Sequence, residues 1–104
     1  DVQIEIGYPV TVNDSALVAR MRPTLERAAP GNVKDARKIT GAEDFSFFAR
    51  AVPGMFVFLG ITPPKDVETA DSNHSPRFYV DESALPTGAR VMAHLAADYL
   101  ANGT

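Results

Sequence analysis

Two histidines and one pair of adjacent acidic residues are the side chains of this chain best suited to catalysis or metal binding. His74 ends a polar loop, in the stretch "SNHSPRFYVDES", and His94 lies in the last predicted helix. Their separation is far from the one-turn spacing of a His-x-x-x-His zinc motif, so the spacing alone does not specify a metal site. Loops often carry functional side chains, which favours His74 over His94; a structural loop histidine is the alternative.

Glu43 and Asp44 stand together at the start of another predicted helix. Such carboxylates can act in general acid–base chemistry or support a metal site. A structural interpretation competes, because Thr40, Gly41, Ala42 and Glu43 match a capping box, in which the first and last side chains bond each other's backbone N–H groups. Acidic residues are also stabilising near a helix N-terminus, so the pattern alone favours capping.

The composition limits the classes of function. The 104 residues, 45% of them hydrophobic, suit one modest folded domain. The 10 basic residues are scattered among 13 acidic ones, which argues against a nucleic acid partner. Cysteine is absent, so any metal must take nitrogen or oxygen ligands.

The sequence contains no phosphate-binding glycine loop and no serine-hydrolase elbow. No apolar run approaches the roughly 20 residues of a membrane span, and no signal sequence is evident, which predicts a cytoplasmic protein without membrane contact. The chain begins in a strand pattern without an initiator methionine, so we expect a piece of a longer protein.

Alternating strand and helix patterns predict an α/β fold. Strands are predicted at 2–8, at 55–59 as the best core candidate, at 74–80 and, as a short element, at 33–39; helices are predicted within 11–32, 40–54 and 83–103. Asn13 or Asp14 should cap the first helix, and Pro23 should kink it or divide it. Ser83 should cap the last helix, with Pro86 in its first turn and Gly103 just past its end.

Three motifs carry a family resemblance that extends over essentially the whole chain: "YPVTVND", "GAEDFSFFARAVPGMFVFLG" and "HSPRFYVDESALPTGARVMAHLAADYL". In this order they resemble the carboxy-terminal part of metal-dependent amidohydrolases of the aminoacylase and carboxypeptidase superfamily. The branch they resemble contains hippurate hydrolase, N-acyl-amino-acid amidohydrolases and plant indole-acetyl-amino-acid hydrolases. The resemblance implies a zinc-peptidase-like catalytic domain, with a mixed sheet flanked by helices, and an α+β lid domain. Residues 1–10 would be the last strand of the lid, and residues 11–104 would belong to the catalytic domain.

The resemblance also implies a site. His74, in the "HSP" motif, corresponds to a metal ligand, and Gly41 and Glu43 lie in a segment that lines the substrate pocket or supports the metal. Relatives hold two divalent ions (zinc, manganese, cobalt or nickel), cleave small N-acyl amino acids or similar amides, and commonly dimerise through the lid.

The family's His-x-Cys-Gly-His-Asp motif and its Glu-Glu pair, which includes the general base, do not occur in these residues. We therefore expect no catalytic residue here, and no activity from this chain without the remainder of its catalytic domain. The alternative is a non-enzymatic α/β module that keeps the packing motifs and serves in interaction or assembly.

Overall fold

The computed structural model describes residues 1–102, and the regular secondary structure of that part of the chain is helical. Helix α1 is Ser15–Ala28, α2 is Phe45–Ala51 and α3 is Leu85–Ala101; short 3-10 turns lie at Pro64–Asp66 and Glu82–Ala84. The predicted role of Gly103 lies outside the described residues. None of the helices within residues 1–102 is both long enough and apolar enough to cross a membrane.

Helix α1 begins with a side-chain cap and continues through a proline. Asp14 Oδ1 accepts a hydrogen bond from Leu17 N at 2.7 Å, so Asp14, one of the two predicted caps, is the cap observed. Pro23 lies inside one continuous helix, so of the two expected outcomes, a kink or a division, the division does not occur. Buried residues on both sides of Pro23 hold the helix together: Met21 and Thr24 are 3% and 4% exposed.

Helices α1 and α3 pack against each other and form the frame of the molecule. Met21, Thr24 and Ala28 recur at helical spacing on the buried face of α1. Thr24 Oγ1 donates to Asp98 Oδ2 of α3 at 2.6 Å, and Arg90 Nε of α3 donates to the carbonyl oxygen of Ala28 at 2.8 Å. Apolar burial and cross-helix hydrogen bonds therefore fix the same interface.

A 3-10 turn leads into helix α3. Asp81 Oδ1 accepts from Ser83 N at 3.0 Å and caps the turn Glu82–Ala84, so the prediction that Ser83 caps α3 is wrong. Asp81 thus caps the 3-10 turn, while α3 itself begins at Leu85 without a side-chain cap. The predicted place of Pro86 in the first turn of α3 is confirmed. That position suits proline because its missing N–H has no helical partner there.

The predicted mixed sheet flanked by helices is wrong, because residues 1–102 contain no β-strand. A strand is defined by backbone hydrogen bonds to a neighbouring strand, and the predicted strand segments are not paired with one another in this part of the chain. In the segment 55–59, the N–H of Phe56 donates to Asn13 Oδ1 at 2.7 Å and its carbonyl accepts from Asn13 Nδ2 at 2.9 Å. A side-chain amide thus takes the place of a partner strand at this residue.

The alternating pattern of residues 2–8 has no buried face: Ile4 is 84% exposed and Ile6 is 98% exposed. An alternating sequence indicates which side chains share a face, but it does not supply the surface that covers them. The short predicted strand at 33–39 and the one at 74–80 are likewise not observed among the described residues.

The expectation that segment 55–59 forms the core is wrong, since Val57, Phe58 and Leu59 are exposed and the first two residues are only half-buried. Aromatic residues gather instead in an open cluster, in which Phe56 lies 5.4 Å from Phe45 and 5.2 Å from Phe58 between ring centroids. The radius of gyration is 16.3 Å, against roughly 13 Å for a compact chain of this length. The packed region is therefore small and centred on α1 and α3.

Candidate functional site

His74 lies in a turn within a segment whose two ends are joined. The backbone N–H of Asp81 donates to the carbonyl oxygen of Ile61 at 2.7 Å and closes residues 61–81 into a loop. We call these residues the His74 loop. The imidazole of His74 is exposed at residues 73–77, which form turns.

A bidentate ion pair spans the turn that carries His74. Arg77 Nε donates to Asp71 Oδ2 at 2.8 Å, and Arg77 Nη2 donates to Asp71 Oδ1 at 2.9 Å. These hydrogen bonds lower the pKa of the Asp71 carboxyl and raise the pKa of Arg77. Both groups therefore keep their charges across the neutral pH range.

Hydrogen bonds inside the turn add to this ion pair. The N–H of Ser75 donates to the carbonyl of Ser72 at 2.9 Å, and the N–H of Phe78 donates to the carbonyl of Ser75 at 3.0 Å. Ser75 Oγ accepts from the N–H of Arg77 at 3.1 Å. The backbone on both sides of His74 is therefore held by local bonds.

A second side-chain bond crosses the loop closer to its ends. Tyr79 Oη donates to Asp66 Oδ2 at 2.8 Å, and this hydrogen bond raises the pKa of Tyr79. Sequence reasoning identified neither this contact nor the ion pair. A signal was present, since an acidic and a basic residue stand three positions before and after His74.

Glu43 and Gly41 precede α2 and are not brought into contact with His74. Glu43 Oε1 accepts from Phe45 N at 3.1 Å, while Asp44 is the residue before the helix and makes no side-chain cap. The predicted capping box is therefore wrong. The Glu43 carboxylate accepts from the first residue of the helix, and Thr40 takes no part in this bond. Gly41 is exposed, and a Cβ built there meets open space.

The described residues fit one metal ligand and not a complete metal site. Within residues 1–102, no group of three His, Cys, Asp or Glu side chains lies close enough together to hold an ion. An exposed imidazole such as that of His74 is a nitrogen donor of the kind that zinc, cobalt and nickel accept. His94 is also exposed, and it lies on α3, outside the His74 loop.

Curated relatives match most of this chain, although the chain is only a part of their length. The IAA-amino acid hydrolase ILR1-like 6 of Arabidopsis thaliana is 35% identical over 89% of this chain and 20% of its own length. The ILR1-like 4 hydrolase of the same plant is 38% identical over 89% of this chain and 21% of its own length. The thermostable carboxypeptidase 2 of Saccharolobus solfataricus is 37% identical over 92% of this chain and 24% of its own length.

No solved structure gave a significant match.

The family comparison covers nearly the whole chain. The model of the family described as Peptidase family M20/M25/M40 matches residues 1–98, which include α1, α2, the His74 loop and most of α3. Together with relatives above one-third identity, this match confirms the resemblance inferred from the three motifs, and the chain belongs to the M20/M25/M40 peptidase family.

Proposed function

We propose that the protein containing this chain is a metal-dependent amidohydrolase that cleaves small N-acyl amino acids or similar amides, as hippurate hydrolase does. The observation that carries the proposal is the family match over residues 1–98. The names of the relatives support the substrate class, since a hydrolase of amino acid conjugates and a carboxypeptidase both act at an amino acid unit. Residues 11–104 would belong to the catalytic domain, and residues 1–10 would end the lid domain.

In this proposal His74 supplies one ligand to a site for two divalent ions, of zinc, manganese, cobalt or nickel. When bound, the ions would supply Lewis acidity toward the amide carbonyl and the attacking water. The contribution of this chain is an imidazole nitrogen, carried on the turn described above and open to solvent. Its exposure supports the role, because an ion bound by ligands from elsewhere in the protein must be able to reach the ring.

Gly41 and Glu43 would lie near the substrate. The Glu43 carboxylate is already oriented by the N–H of Phe45, so it can present its remaining lone pairs without reorganising. The exposed Gly41 leaves room beside it for a small molecule. The general base is not assigned to any residue of this chain. The proposal also includes a cytoplasmic homodimer formed through the lid.

The chain by itself should be inactive and should hold no stable metal. One imidazole does not form a site, and residues 1–102 offer no three-ligand group. The complete catalytic domain is therefore the material to test.

The test replaces each histidine in the intact protein. We expect His74→Ala to lose bound metal, measured by mass spectrometry of the purified protein, and to lose most hydrolysis of N-benzoylglycine and N-acetyl amino acids. His94→Ala is the matched control, because it removes an exposed histidine from α3 and should change neither quantity. Full metal content in His74→Ala would contradict the assignment. An intact wild-type protein that binds no metal and hydrolyses no amide would favour the assembly-module alternative.

A further inference from the structure

The ion pair of the His74 loop has little to contribute to folding stability. The Arg77 and Asp71 side chains are 79% and 31% exposed. Exposed ion pairs are screened by water and salt and commonly add little to the free energy of unfolding. The more important consequence of this pair is conformational, because a bidentate arginine fixes both the distance and the orientation of its carboxylate.

The position of the pair makes that consequence local to His74. Asp71 lies three residues before His74 and Arg77 three residues after it, so the pair closes a ring whose middle residue is His74. The bonds of Ser75 fix the second half of this ring. Breaking the ion pair would loosen the first half, from Asp71 to Asn73. Among the described residues, that half is otherwise held by the bond to the carbonyl of Ser72 and by the Ser75 side chain, which hydrogen-bonds the Asp71 carboxylate.

We propose that Asp71 and Arg77 are positioning residues for His74 and raise the metal affinity of the intact protein by holding the turn in its binding geometry. The inference rests on the proposed function, in which His74 is a ligand. Both oxygens of Asp71 accept from Arg77, so Asp71 acts here through the turn and not as a ligand itself. A ligand that is already ordered loses less conformational freedom on binding.

Metal affinity in the intact protein tests this directly. The apo protein is titrated with Co²⁺ alone, and binding is followed by visible absorption and by competition with a chelator. We expect Asp71→Asn and Arg77→Gln each to weaken Co²⁺ binding about 2- to 5-fold, the range that corresponds to the coupling of an exposed ion pair. The double variant should lose no more than either single variant, because each already breaks the same pair.

Two further variants separate positioning from general damage. Arg77→Lys keeps the charge but not the planar fork, so its loss should be smaller than that of Arg77→Gln. Arg22→Gln is the matched control: it breaks an exposed ion pair between Arg22 and Asp35, which lie outside the His74 loop, and should leave Co²⁺ binding unchanged. The unfolding temperature of each apo variant should remain close to that of the wild type.

The outcomes distinguish this inference from the proposed function. If His74→Ala weakens Co²⁺ binding while Asp71→Asn and Arg77→Gln behave like Arg22→Gln, the positioning role is wrong and the ligand role stands. If His74→Ala leaves Co²⁺ binding unchanged, the proposed function itself fails for this residue. Tighter binding in Arg77→Gln would also overturn the inference, since it would mean that Arg77 withholds Asp71 from the metal.

Discussion

Replacing Met21 with alanine should destabilise the chain far more than the same replacement of Met92. Met21 lies on the buried face of α1 and is 3% exposed, whereas Met92 lies on α3 and is 63% exposed. Both residues are inside helices, so the small gain in helix propensity from methionine to alanine is the same and cancels in the comparison. The difference between the two variants therefore measures packing.

The magnitude follows from burial and from how far the site can relax. Truncation of a buried methionine to alanine costs about 2–5 kcal/mol, the larger values applying where a closed cavity remains. Met21 borders an apolar groove that Leu17, Leu95 and the more exposed Met92 also line, so neighbouring side chains can move into the space. We therefore expect about 2–3 kcal/mol for Met21→Ala, and about 0.5 kcal/mol or less for the mostly exposed Met92.

Urea unfolding of the 104-residue chain, followed by far-ultraviolet circular dichroism, gives both values. The wild-type chain must first show a cooperative transition, and the two variants should share its dependence on urea concentration. A chain with so small a packed region is expected to have modest stability, so Met21→Ala should unfold at a much lower urea concentration. A difference between the variants below about 1 kcal/mol would refute the assignment of the core to the α1–α3 interface.

Two further perturbations test the hydrogen bonds that organise the frame. The hydrogen bond from Thr24 lowers the pKa of Asp98 below 3.8. The folded state therefore gains stability above that pH and loses it as the pH falls through the lowered pKa. In urea unfolding, Thr24→Val should destabilise the chain more at about pH 6 than at about pH 3. An equal effect at both pH values would contradict this. Asn13→Ala should lower the free energy of unfolding by about 1–2 kcal/mol, because it removes both hydrogen bonds to Phe56. Asn13→Asp keeps only the acceptor, so it should speed hydrogen exchange of the Phe56 amide less than Asn13→Ala does.

The features that sequence reasoning predicted correctly are those set by neighbours in the chain. Asp14 caps α1 because its carboxylate needs only the N–H of Leu17, three residues away. Pro86 falls in the first turn of α3 for a similarly local reason. The capping role of Ser83 was predicted wrongly because Ser83 lies inside the 3-10 turn before α3, where its own N–H donates to Asp81, two residues earlier. Competition between nearby caps cannot be decided by residue type alone.

The sheet was predicted wrongly because strands depend on contacts that a local pattern does not contain. The apolar run at 55–59 indicates that these side chains favour burial. It does not indicate which surface of the protein covers them. Phe56 satisfies its backbone groups with Asn13, a residue distant in sequence, and no periodicity in 55–59 could have indicated that amide. Such long-range pairings are accessible only from the folded structure.

For the candidate site, the motif identified the residue and the structure identified what holds it. His74 was selected from the "HSP" stretch by resemblance, and its role as a ligand stays a prediction. The Asp71–Arg77 pair is visible only in the structure, because an acidic and a basic residue on either side of His74 do not by themselves specify a bidentate contact. Glu43 shows the reverse case, since its carboxylate was placed correctly at a helix start while its partner was not.

The His74 loop leads into the helical frame at Asp81, and its bonds lie within the loop, which predicts that the energetics of the two parts separate. The bond from Asp81 to Ile61 closes the loop, and the 3-10 turn that leads into α3 begins at the next residue. A change at Met21 loosens α1 against α3 without touching the bonds inside the loop, so it should lower stability and leave Co²⁺ affinity intact below the unfolding transition. A change at Arg77 should do the opposite. If frame variants change only stability and loop variants change only Co²⁺ affinity, the two properties are set by different parts of the chain. The frame would then determine the position of His74, and the loop would determine the geometry of its turn.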